Sequence, residues 1–225
     1  SSRRRHTRYI GVTGVQTCSL PIWMKLTTAG VLFGGRRFWA LADTGRAAEV
    51  LGKDHIKGML LLTTSCDGTL ATTAQFTSVR VVCNNTLSIS LSEDVKDRAR
   101  VTHRTTFDPN VIKDRLGLLD ASWENFKDKI AMLSKQKVDD KKAREFIRSL
   151  FVNPNRDEAS QPYTVDKNTN IVMNRYNDGM GSNMAYGTLW GIMNSVTEYV
   201  DHDSRARTPD TALWESWNGK GANLK

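Results

Sequence analysis

Along residues 24–106 apolar and polar positions mostly alternate, the period of strands that bury one face. Gly34-Gly35 reads as a turn opening into a strand at Arg36-Arg37-Phe38-Trp39-Ala40-Leu41. Met59–Thr63 is an apolar run, and Ser65-Cys66-Asp67-Gly68 reads as a hairpin turn because Asp-Gly supplies positive φ at little cost. Thr69–Phe76 alternates as the returning strand. Val79–Cys83 and Leu87–Leu91 are two more β-rich stretches, with a bend between them at Asn84-Asn85. Arg98–Arg104 reads as a last, exposed strand. The connections are too short for helical crossovers, so the pairing is antiparallel.

The period then changes. Asp108-Pro109 is a helix start, and Ile112, Leu116, Leu119, Trp123, Phe126, Ile130 and Leu133 recur at alternating spacings of four and three. That is a seam of period about 3.5 residues. A second helix runs from about Val138 to Phe151, with Ala143, Phe146, Ile147 and Leu150 inward, and Asn153-Pro154-Asn155 stops it. Residues 153–182 are polar and rich in Asn and Asp, and read as a long loop. A third helix spans about Asn183 to Asp203 on a stripe of Leu189, Met193, Val196 and Val200. The tail from Thr208 holds Trp214 and Trp217, which predicts that it docks back onto the domain.

These elements predict an α+β fold: an antiparallel, strongly bent sheet carrying a helical hairpin and a further C-terminal helix. A single domain is expected over residues 24–225, mainly β over 24–106, a helical hairpin over 107–152, a loop over 153–182, and a helix with tail over 183–225.

Charge changes this picture less than it first suggests. The chain carries a net charge of +8, but Ser1–Trp23 contains Arg3, Arg4, Arg5 and Arg8 and no acid. Without those four, 28 basic residues face 24 acidic ones, a weak electrostatic footprint. The strings RRRHTRYIG and VTGVQTC resemble read-through translation of sequencing-adapter DNA, so Ser1 to about Ile22 is expected to be adapter-derived and poorly packed. The natural N-terminus is then expected to be lost near Trp23-Met24. Cys66 and Cys83 remain, without metal-ligand spacing, and read as small buried residues of a protein in a reducing cytoplasm. No apolar run reaches the roughly 18 residues of a membrane span.

Candidate chemistry is sparse. Trp190, Asn194, Thr197 and Asp201 share one helical face, and Glu198 and His202 stand four apart beside it. Glu198, Asp201 and His202 could hold a metal, although acids and a histidine late in an amphipathic helix are more often a solvated face. His55 and His103 have no nucleophile beside them, and Gly179-Met180-Gly181 is not a phosphate loop. Arg36-Arg37-Phe38-Trp39 interleaves cations and aromatics, Arg98, Arg100 and Arg104 add three more cations, and Lys135–Arg148 is Lys-rich. Stacking rings in a basic groove are how sequence-tolerant single-strand binding works.

The stretches GGRRFWALA (34–42), LLTTSCDGT (61–69), FTSVRVVCNNTL (76–87), GTLWGIMNSVTEYVDH (187–202) and ESWNGKGANLK (215–225) resemble the phage/plasmid-like protein family, domain of unknown function 932. The resemblance implies a mobile-element origin and assigns no activity. Arg80, Cys83, Asn84, Asn85, Asn194, Glu198, Tyr199, Asp201 and His202 are the candidate site positions within its blocks. We expect a non-enzymatic bacterial cytoplasmic protein, without cofactor, that binds single-stranded DNA through Arg36, Arg37, Arg80, Asn84, Asn85, Arg98, Arg100 and Arg104. The alternatives are a metal-dependent nuclease using Glu198, Asp201 and His202, and a structural protein that self-associates through the 112–133 seam.

Overall fold

In the computed structural model, the structure describes residues 24–81, 85–87, 98–101, 118–153, 155–156, 162–204 and 207–218. The expectations for Ser1–Ile22, Cys83, Asn84, His103, Arg104 and the first half of the 112–133 seam lie outside these residues. The fold is α+β. Strands β1 (Lys25–Leu32), β2 (Arg37–Val50), β3 (Asp54–Ser65) and β4 (Thr72–Arg80) form an antiparallel meander. The outer edge of β4 is shared by two short strands: β5 (Asn85–Leu87) pairs with Ser78–Arg80, and β6 (Arg98–Val101) pairs with Thr72–Gln75. Helices follow at α1 (Leu118–Lys135), α2 (Asp140–Ser149), α3 (Pro162–Asp178), α4 (Ser182–Ala185), α5 (Leu189–Glu198) and α6 (Pro209–Asn218).

The long β2–β3 hairpin carries a bulge that bends it. The register passes from Asp43↔Met59 to Arg46↔Gly58, so Thr44 and Gly45 are extra on β2. Gly45 takes a positive φ of 73°, its N–H donates to Asp43 Oδ1 at 2.8 Å, and the Thr44 hydroxyl donates to the Gly58 carbonyl at 2.6 Å. Gly58 also lets helix α1 approach. A Cβ there would stand 3.1 Å from the Trp123 ring, which lies against the strand.

Helices cover both faces of the sheet. On one face Val50 and Ile56 meet Trp123, Phe126 and Ile130 of α1 and Trp190 of α5. Phe76 joins them edge-on, its ring centroid 5.6 Å from that of Phe126. The opposite face receives Leu213 and Trp214 of α6 against Leu32, Trp39 and Leu61, so the tail docks as the sequence predicts. Helix α5 is buried on nearly every side, with Ile192, Val196, Tyr199 and Val200 facing a separate cluster built by α2 and α3.

Four sequence expectations change. The stretch 153–182 holds α3, whose Val165, Thr169, Val172, Met173 and Tyr176 form a buried stripe that the surrounding Asn and Asp residues conceal. Its partner is α2, whose buried face is the narrow pair Ala143 and Ile147. Phe146 lies off that pair and is 50% exposed. The α1 seam is also spent inside the molecule. Trp123, Phe126 and Ile130 are buried against the sheet, so this half of it presents no face to a second copy. Cys66 is exposed rather than buried, because it sits in the β3–β4 turn.

Candidate functional site

Two ionic networks organise the polar interior. The first joins the sheet to the C-terminal half. Asp54, at the start of β3, is 0% exposed and Arg80, at the end of β4, is 1% exposed. Arg80 Nε donates to both Asp54 oxygens at 2.7 Å, and its terminal nitrogens donate to the carbonyls of Met180 at 3.2 Å and Gly181 at 2.8 Å. The Trp190 indole N–H donates to Asp54 Oδ2 at 2.9 Å. In the sequence Asp54 looks like a turn residue between Lys53 and His55, and its partners are distant along the chain. Arg80 was expected to meet nucleic acid. It is instead enclosed and engaged, because the register sets it beside Ile56 on the face that α5 covers.

The second network lies at the far end of α5. Arg175 of α3 donates from Nε and Nη2 to the two oxygens of Asp203 at 2.8 and 2.9 Å, and from Nη1 to Glu198 Oε1 at 3.0 Å. The hydrogen bonds to Asp203 hold the Arg175 pKa above its ordinary value, against desolvation. Gly179 leaves room for this arrangement: a Cβ there would come within 2.8 Å of Glu198 Oε2.

These contacts separate the three candidate metal ligands. Glu198 turns to Arg175, Asp201 accepts from the Ser216 hydroxyl of α6 at 2.5 Å, and His202 is exposed. Among the described residues no group of three His, Cys, Asp or Glu side chains could hold a metal ion. The cause is local. After Glu198 the helix widens into a π turn over Tyr199–Asp203, closed by the Ser204 N–H on the Tyr199 carbonyl at 2.8 Å. One added residue rotates Asp201 and His202 out of the phase that a 3.6-residue repeat predicts.

The rest of the polar face is buried. Thr197 donates back to the Met193 carbonyl at 2.9 Å, and Tyr199 packs its ring edge-on to Phe151 with centroids 5.3 Å apart. Asn194 is 4% exposed, and neither atom of its amide meets a hydrogen-bond partner among the described residues. His55, on the surface, stands with Nδ1 3.8 Å from Glu49 Oε2.

The cationic candidates gather elsewhere. Arg36 is exposed, its Nε donating to the Phe33 carbonyl at 3.1 Å. The Arg37 guanidinium carbon lies 5.0 Å from the Phe33 ring centroid and 4.1 Å from that of Trp214. Across the sheet the register aligns Trp39, Thr63, Thr73 and Arg100 in one row, and Leu41, Leu61, Gln75 and Arg98 in the next. Directly paired residues share a face, and alternate residues of a strand share it too, so Arg37, Arg98 and Arg100 take positions on the same side. Asn85 pairs with Arg80 at the other end of β4.

The molecule is thus an α+β domain with internal ionic ties and a one-sided set of arginine positions. The family model for DUF932, a domain of unknown function, matches residues 22–217, and the chain belongs to that family. No curated protein and no solved structure matches it. No helix among the described residues is long and apolar enough to cross a membrane.

Proposed function

We propose that this domain binds single-stranded DNA without sequence preference, as a non-enzymatic component of phage or plasmid DNA metabolism in a bacterial cytoplasm. The observation that carries the reading is the register that puts Arg37, Arg98 and Arg100 on one face of the sheet, with exposed Arg36 at the adjoining turn. From β2 to β6 is three strand spacings, roughly 14 Å, enough for an extended backbone to cross several of these cations. Cations spaced across one sheet face suit an extended strand whose phosphates pair with them in turn. The mobile-element origin implied by the sequence blocks agrees with such a role.

Binding of a labelled oligothymidylate across a salt series tests it. The affinity is expected to fall linearly in log–log form, by about 0.7 in slope for each phosphate contact. Replacing Arg36 and Arg100 together by alanine is expected to flatten that slope by roughly 1.4. A salt-independent affinity, or a slope untouched by the double variant, would remove the proposal.

A further inference from the structure

The β1–β2 turn already holds an occupant with the chemistry of a nucleotide. Phe33 takes a positive φ of 55°, a backbone conformation that a bulky side chain rarely adopts. There its N–H donates to Asp210 Oδ2 of α6 at 2.7 Å, a charge-assisted bond to an anion. One helical turn further along α6, the Trp214 indole covers Arg37 at 4.1 Å, a flat ring on a guanidinium. Phe33 also lies against Arg37, its ring centroid 5.0 Å from the guanidinium carbon, and that ring meets Trp214 edge-on with centroids 6.4 Å apart. An anion on a backbone N–H and an aromatic plane on an arginine are what a phosphate and its base would offer the same turn. Exposed Arg36 stands beside it, and α6 packs on the same side of the sheet as Arg37, against Leu32, Trp39 and Leu61.

We infer that the turn Phe33–Arg37 is a nucleotide subsite of the DNA-binding face, filled in the free protein by Asp210 and Trp214 of α6, and that a single strand displaces the helix. This rests on the single-strand reading above. The helix is held at one end by the Phe33 and Arg37 contacts, with Leu213 and Trp214 on the sheet, and towards the other by Ser216 on Asp201. Release therefore frees a stacking ring and a guanidinium together. A helix docked about 90% of the time reduces apparent affinity about tenfold, a penalty that weakening the dock removes.

The test uses the whole chain, with oligothymidylate as probe. Asp210→Asn keeps the shape and removes the anion; Trp214→Ala removes the ring. Each is expected to bind the oligonucleotide on the order of tenfold more tightly than the unaltered chain. Adding Arg37→Ala to Trp214→Ala is expected to abolish the gain. In the unaltered chain, amide hydrogen exchange across 209–218 is expected to speed up when the oligonucleotide is bound. Salt-dependent binding with no gain in either variant, or with slower exchange in 209–218, overturns the mimicry and leaves the binding reading standing. Absence of binding by the unaltered chain and both variants overturns the two together.

Discussion

Replacing Asp54 with alanine is expected to lower stability by about 3–5 kcal/mol, the cost of leaving one member of a buried ion pair alone. The carboxylate is fully enclosed and accepts from Arg80 and from the Trp190 indole, so its loss strands a buried guanidinium and an indole N–H at once. Arg80 retains the Met180 and Gly181 carbonyls, which satisfy hydrogens without neutralising charge. Arg80→Ala is expected to cost a similar amount. The double replacement Asp54→Leu with Arg80→Met is expected to cost less than either single change, because neither charge is then left unpaired. Guanidinium unfolding midpoints of the four proteins check this. Additive losses would mean that water reaches the pair and that the sheet and the 180–181 turn are joined by other means.

Gly191→Ala is the second large effect, and its sign is informative. In an exposed helix the change gains up to about 1 kcal/mol. Here a Cβ would collide with the carbonyl oxygen of Ala185 and stand 3.1 Å from the Tyr176 ring. Both neighbours are fixed: the Ala185 carbonyl accepts from the Thr188 hydroxyl at 2.5 Å, and the Tyr176 hydroxyl accepts from the Gly187 N–H at 2.9 Å. A loss of about 1–3 kcal/mol is expected. A thermal melt showing stabilisation would mean that α5 does not pack against the end of α4 as described.

How much of this was legible depends on the range of the interaction. The meander, the turn at Ser65–Gly68 and the docking of the Trp214 tail follow from alternation, turn chemistry and ring burial, all local signals. In that turn Asp67 Oδ1 accepts from the Thr69 hydroxyl at 2.6 Å and from the Thr69 N–H at 3.0 Å, which together hold the Asp67 pKa below its ordinary value. Helix α3 was hidden by composition. Its buried stripe is sound, but Asn168, Asn170, Asn174 and Asn177 between the apolar positions read as loop. Arg80 was misplaced because an arginine in a strand is ordinarily solvated, and nothing near it announces Asp54 or Trp190. The separation of Glu198, Asp201 and His202 was unreadable for a different reason. A π turn has no reliable sequence mark, and it resets the phase on which facing was judged. Asp210 was missed altogether, since its role exists only through contact with a turn at the opposite end of the chain.

The bulge in β2 has a consequence for how the gene can change length. Its two extra residues, Thr44 and Gly45, keep Val50 and Ala48 on the same side as Ile56, since an even insertion preserves which side chains point inward. An odd insertion or deletion there would invert the strand from Arg46 onward, sending Val50 to solvent and Glu49 into the core. The hairpin is therefore a parity-protected element, and natural length variants at this site are expected to differ by two residues and not by one.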